Sequence, residues 1–186
     1  MSRPYNLLNV YDTSDFVGRH QGHRDGSDTY SIDVQSVDQL KSALDQLLRD
    51  GFTFEKALFT THGSPGVIYF AGEALTPHGL YQDFNAGHYE RLFPGATTKL
   101  YFDGCNVADG EPGWWFLEAA LRTFCRGTGG YAYGWTSSGF GIPSFVPWIG
   151  GHTDHAWGHT RYVFLTPASD GGAYIKRWDP EDSPTP

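Results

Sequence analysis

The chain is poor in cysteine, with two in 186 residues, and two thiols cannot form a disulfide framework that carries a fold. No apolar run approaches the roughly 20 residues that a membrane-crossing helix requires, so a spanning helix is not expected. A basic stripe is also missing. Lys and Arg number 13 against 21 Asp and Glu, a formal charge of −8. On that balance non-specific attraction to nucleic acid or to an anionic membrane is disfavoured, and neither is expected as a partner. The opening residues Met1-Ser2-Arg3-Pro4-Tyr5 run into strand-like sequence without the apolar core of a signal peptide. A cytoplasmic location is therefore expected, or export without a classical signal peptide.

Glycine and aromatic residues are abundant instead, with 24 glycines and 16% Phe, Trp and Tyr. That composition implies many turns and large aromatic anchors. The length suits one well-cored α/β domain, expected over residues 1–178. An acidic, proline-rich tail over 179–186 is expected to be disordered.

Periodicity outlines the elements. Tyr5 to Tyr11 reads as a strand, and Asp12 to Tyr30 as a polar loop. Ser36-Val37-Asp38-Gln39 has the form of a capping box, and Gly51 supplies a C-terminal stop. Between them Val37, Leu40, Leu44, Leu47 and Leu48 share one helical face. Ala57 to Thr61 is a short apolar strand, followed by a turn over His62 to Gly66 and a further strand from Val67 to Phe70. Thr76 and Pro77 start a helix that runs towards Phe93 and is weakened by Gly87. Lys99 to Phe102 is the next strand. Gly113 to Cys125 is an apolar helix in which Trp114, Trp115 and Cys125 read as core. Tyr131 to Trp135, Tyr162 to Leu165 and Ala173 to Lys176 are further strands. Ser137 to Gly151, with Phe140, Phe145 and Trp148, reads as a long ordered loop. Strands alternating with helices predict a three-layer α/β sandwich around a mainly parallel central sheet.

Two strand ends carry chemistry. One reads Ala57-Leu58-Phe59-Thr60-Thr61-His62-Gly63-Ser64-Pro65-Gly66, the other Lys99-Leu100-Tyr101-Phe102-Asp103-Gly104-Cys105-Asn106-Val107-Ala108. The interval between them holds one helix and one strand, so the two strands are expected to be parallel neighbours. Carboxyl ends of such strands are where open α/β sheets gather ligands. An imidazole and a thiol delivered there form a nucleophile beside its base. Gly63 and Gly104 allow close backbone approach, and the N–H groups of Gly63 and Cys105 are candidate oxyanion donors.

With Thr61-His62-Gly63-Ser64-Pro65-Gly66 and Asp103-Gly104-Cys105-Asn106-Val107-Ala108 in place, the chain resembles the caspase-like (clan CD) cysteine peptidase superfamily. That superfamily includes legumains, gingipains and separases. The motifs look closer still to bacterial caspase-like domains of unassigned role. The resemblance covers Leu58 to Trp135. It implies a caspase-like fold and a cysteine peptidase, most readily an endopeptidase, without a cofactor. Cys105 would be the nucleophile, His62 the general base or acid, and Gly63 with Cys105 the oxyanion site. A peptide or protein substrate follows, and an inhibitor or immunity protein is a further partner class.

The residues leave other readings open. Asp12, Asp15, Asp83 and Asp103 are each candidates to line a substrate pocket, and Asp103 and Trp148 are carried forward as substrate-binding candidates. A caspase-like binding module with a vestigial dyad is the alternative from another class. His152, His155 and His159 with Asp154 invite a metal-dependent hydrolase as a third reading, but their spacing matches no metal motif and no metal is expected. His20 and His23 read as residues of a solvated loop.

Overall fold

Burial alternates residue by residue along the strands, as a pleated chain with one face on a core requires: Thr98, Leu100 and Phe102 are buried while Lys99 and Tyr101 are half-buried. The chain's computed structural model describes residues 3–14, 26–137, 140–141, 153–154 and 159–182. Within them β1 (Arg3–Tyr11) and β2 (Thr29–Asp33) are followed by α1 (Val37–Arg49) and β3 (Phe52–Thr60). A small antiparallel sheet follows, of β4 (His62–Ser64), β5 (Val67–Phe70) and β6 (Glu73–Leu75). Then come α2 (Pro77–Asp83), β7 (Thr98–Phe102), α3 (Gly110–Phe124) and β8 (Gly130–Trp135). The short strands β9 (Phe140–Gly141) and β10 (Thr153–Asp154) pair with each other, and β11 (Thr160–Pro167) and β12 (Ala173–Trp178) complete the main sheet.

The seven-stranded sheet has the order β12-β11-β8-β7-β3-β1-β2. Its five strands from β2 to β8 are parallel, and β11 and β12 are antiparallel. Taken in chain order, the parallel strands run 2-1-3-4-5. The order reverses between β1 and β3, the point where doubly wound sheets open a crevice at their carboxyl ends. The α/β class and mainly parallel sheet agree with the sequence.

The crossovers from β2 to β3, β3 to β7 and β7 to β8 all proceed in one direction across the sheet. Right-handed connections therefore lay their helices on one face. The packing agrees: the Phe116 ring of α3 meets Phe102 edge-on at 5.0 Å, and Phe124 lies 6.3 Å from Phe59. Tyr89, in contact with Phe124, donates from its hydroxyl to Asp45 of α1 at 2.8 Å. Leu80 of α2 is buried in the same core. Among the described residues no helix is long and apolar enough to cross a membrane.

Two helices differ from their sequence outlines. α2 stops at Asp83 instead of running to Phe93, because Phe84 is extended and Gly87 takes a φ of 77°; the aromatic residues beyond it pack into the core from turns. α3 begins at Gly110, three residues earlier than the apolar pattern suggests, which brings its start closer to Cys105. α1 matches its outline. Ser36 accepts from the Gln39 N–H at 3.1 Å, while the Gln39 side chain accepts from the Gln35 N–H at 2.9 Å. Ser36→Ala should therefore cost about 1 kcal/mol, read as a lower denaturant midpoint at unchanged m.

Candidate functional site

β3 and β7 pair in parallel from Lys56↔Lys99 to Phe59↔Phe102. The Asp103 N–H continues the ladder to the Phe59 carbonyl at 2.9 Å, so the chain leaves both strands at the same sheet edge. His62 opens β4 and is exposed, whereas Cys105 is half-buried in the turn after β7. The two turns touch through backbone. A Cβ added to Gly63 would lie 2.7 Å from the Cys105 carbonyl oxygen and 2.4 Å from a Val107 methyl; one added to Gly104 would lie 3.2 Å from the Gly63 Cα. Real Cβ atoms essentially never sit within 3.0 Å of a neighbour, so glycine at 63 is what lets the turns meet.

The cysteine turn is tied on three sides. Asn106 sits at φ 57° and its N–H donates to the Ser137 carbonyl at 2.9 Å, while the Ala108 N–H donates to the Trp135 carbonyl at 2.9 Å. From the histidine side the Gly66 N–H donates to the Val107 carbonyl at 3.0 Å. From the far strand the Arg161 guanidinium donates to the Ala108 carbonyl at 3.1 Å. Arg161 lies over the Trp114 ring at 5.1 Å and is paired with Asp179, which is 6% exposed. Burial by itself would raise the Asp179 pKa, but the hydrogen bond and charge of Arg161 hold it below the usual 3.8. No linear motif joins Ala108, Arg161 and Asp179; only the strand pairing brings them together.

Three of the four candidate carboxylates are described, and they separate. Asp12, at the end of β1, is buried and accepts from the Ala71 N–H at 2.6 Å and the Ser14 N–H at 2.8 Å. It therefore pins the β5–β6 turn, where Ala71 has a φ of 49°. Asp83 is exposed at the end of α2, and Asp15 lies outside the described residues. Asp103 is half-buried two positions before Cys105 and accepts from the Tyr101 hydroxyl at 3.2 Å, which itself accepts from the Trp135 indole N–H. Burial and the Asp103 charge push the Tyr101 phenol well above the usual tyrosine range.

The two thiols differ in environment. Cys125 is fully buried beside the end of α3 and burial pushes it up to about 12, and neither cysteine is in a disulfide. Trp114 is half-buried under Arg161 and Arg177. Trp115 is 53% exposed, contrary to its expected place in the core, because it falls on the solvent side of α3.

Trp148, His152, His155, His20 and His23 lie outside the described residues, as does the side chain of Phe140. His159 is described. Its Nε2 lies 2.6 Å from an Asp179 oxygen, close but off the hydrogen-bond direction, and its Nδ1 lies 3.1 Å from Glu181. The donor atoms of His159, Asp179 and Glu181 fall within 4.8 Å of one another, a donor set that suits a divalent ion. The Arg161 guanidinium on Asp179 places a fixed positive charge there and opposes one. The tail expected to be disordered from Asp179 onward is anchored at its start: Asp179 is buried, and Pro180–Asp182 forms one 3-10 turn.

Two substitutions test this geometry. Gly63→Ala should destabilise by about 1–3 kcal/mol through overpacking and change the alkylation rate of Cys105, measured alongside the melting temperature. Asp179→Asn leaves Arg161 without its partner and should cost about 2 kcal/mol at neutral pH. The Asp179 contribution is fully present above the unfolded value of 3.8 and is lost as pH falls through the lower folded value. Acid titration of stability should therefore show a drop below pH 3.8 in the parent that is reduced in the variant.

No protein-family model matches this chain, and no curated protein matches it.

Proposed function

We infer that the protein is a cysteine hydrolase of the caspase-like kind, an endopeptidase working through a His62/Cys105 dyad. The finer fold reading goes with it: a caspase-like α/β fold, in which, among the described residues, α1, α2 and α3 cover one face of the sheet instead of the two that a three-layer sandwich has. The observation that carries the proposal is the contact of the His62–Gly63 and Gly104–Cys105 turns at the carboxyl ends of two adjacent parallel strands. Strand adjacency is what the dyad needs, and the glycine contact puts the two turns in register.

In this reading His62 takes the proton of Cys105, and the thiolate sulfur attacks the scissile carbonyl carbon. The Gly63 and Cys105 N–H groups receive the developing oxyanion. His62 then returns the proton to the leaving amine, which gives a thioester on Cys105. Water, deprotonated by His62, attacks the thioester and frees the acid and the thiol. Asp103, the candidate carboxylate beside the cysteine turn, favours a cationic substrate side chain. Proton transfer of this kind is worth about 10²–10⁴ in rate.

His62→Ala should lower kcat/KM on peptide substrates by about 10²–10⁴, and Cys105→Ala should abolish turnover, both with the parent's circular dichroism. Cys105 should react with iodoacetamide in the native protein, with a pH profile that moves in His62→Ala. Cys125, held near 12 by burial, should label only on unfolding. Turnover retained by Cys105→Ala would overturn the assignment, and a thiol profile indifferent to His62 would favour the binding-module reading.

A further inference from the structure

The sheet face opposite α1, α2 and α3 is built from two cross-strand rows. Leu58, Tyr101, Tyr133, Tyr162 and Trp178 are register partners across β3, β7, β8, β11 and β12. Two residues further down the strands, Lys56, Lys99, Tyr131, Phe164 and Lys176 make the second row across the same five strands. Neither row contains a carboxylate. The whole chain has four lysines, and three of them stand in this one row.

We propose that this face binds a short single-stranded nucleic acid, with phosphates over the lysine row and bases against the aromatic groups of β11 and β12.

Charge is the first argument. Lys56 and Lys99 are directly opposite on neighbouring strands, an arrangement that destabilises a sheet unless an anion relieves it. Among the described residues none of the three lysines is in a salt bridge; Lys99 instead lies over the Tyr131 ring at 5.6 Å. A net charge of −8 averages this row away. At physiological salt, however, charges more than about 8 Å apart are largely screened, so a ligand over the second row meets the three lysines, while the Asp103 carboxylate, bonded to the Tyr101 hydroxyl, stands beyond the first row.

Ring geometry is the second. Tyr101 and Tyr133 stack at 4.5 Å, and Tyr133 and Tyr162 at 5.3 Å, so these rings spend their faces on one another. The stack ends at Trp178, which meets Tyr162 edge-on at 5.2 Å. Trp178, Phe164 and Tyr174 are 41%, 37% and 71% exposed. Tyr162, Phe164, Thr166, Lys176 and Trp178 line a groove of about 660 Å³, room for a planar ring beside a lysine.

A polyanion that carries exposed planar rings satisfies both arguments, and such surfaces bind single strands through stacking and a cationic track. A duplex keeps its bases stacked inside. A second copy docked through the same face would set lysines against lysines across a two-fold axis. An acidic polypeptide is better matched by the planar fork of arginine, and the neighbouring Arg161 and Arg177 are turned to the helical side, paired with Asp179, Glu111 and Glu118.

The test is fluorescence anisotropy of the full chain with labelled oligo(dT) of about 12 nucleotides, with Trp fluorescence recorded in parallel. Binding should quench Trp fluorescence, with log K falling against log salt at a slope of about −2 for three lysine–phosphate contacts. Lys99→Gln with Lys176→Gln should bring the slope to about −0.7, and arginine at both positions should restore it. Trp178→Ala should weaken binding about tenfold without changing the slope; if that variant does not fold, the lysine variants decide alone. Absence of binding at low salt overturns the proposal. So does equal affinity for the duplex, equal affinity for polyglutamate of similar length, or indifference to the lysine substitutions. The proposal is independent of the thiol reading: Cys105 alkylation should be the same in every variant.

Discussion

The parallel pairing of β3 with β7 is the constraint on which the rest of this structure depends. It fixes where two glycine-bearing turns leave the sheet, and it leaves them no room for a Cβ at Gly63. Close packing of backbone on backbone is unforgiving, since neither partner has a flexible end to move aside. The His62 and Cys105 turns are consequently held as a unit. The Gly66 N–H bonded to the Val107 carbonyl is a second tie within that unit.

What the sequence disclosed follows from which forces are local. The Ser36 cap, the Gly51 stop and the apolar stripe of α1 are written within one helix, and they are legible there. The strands ending near Thr60 and Phe102 were legible because buried parallel strands read as apolar runs. The end of α2 was less so: Gly87 signals a weakness, but the aromatic residues after it keep an apolar pattern that a helix and a packed turn share. Trp115 shows the same limit, since its apolar character does not record which side of α3 faces water.

Long-range ties were not legible at all. Asp12 reads as a loop carboxylate among several, yet it pins a turn 59 residues away. Arg161 and Asp179 belong to β11 and to the residue after β12, and they reach the cysteine turn only because those strands pair beside β8. Asp103, two positions from Cys105, stood out by proximity alone; the structure sets it apart from Asp12, which pins a turn, and from Asp83, which is exposed.

The direction of the chain's crossovers explains why two surfaces can coexist without competing. Right-handed connections moving one way across the sheet put α1, α2 and α3 on one face, so the aromatic rings buried there, such as Phe59, Phe102 and Phe124, stabilise the core. On β7 the alternate positions are less buried. On β7, Leu100 and Phe102 face the helices while Lys99 and Tyr101 face away. On β7 and β8 a two-residue period thus gives a buried side and a half-buried side, whereas β1 and β3 are buried on both sides near their ends; the His62 and Cys105 turns sit at neither face but at the edge where the strands end. A substitution at Lys99 or Trp178 and one at Cys105 therefore act on separate surfaces of one sheet. The link between the two surfaces is Tyr101, whose hydroxyl donates to Asp103 of the cysteine turn; substitutions at Lys99 or Trp178 leave that bond in place, so their effects should add to one at Cys105.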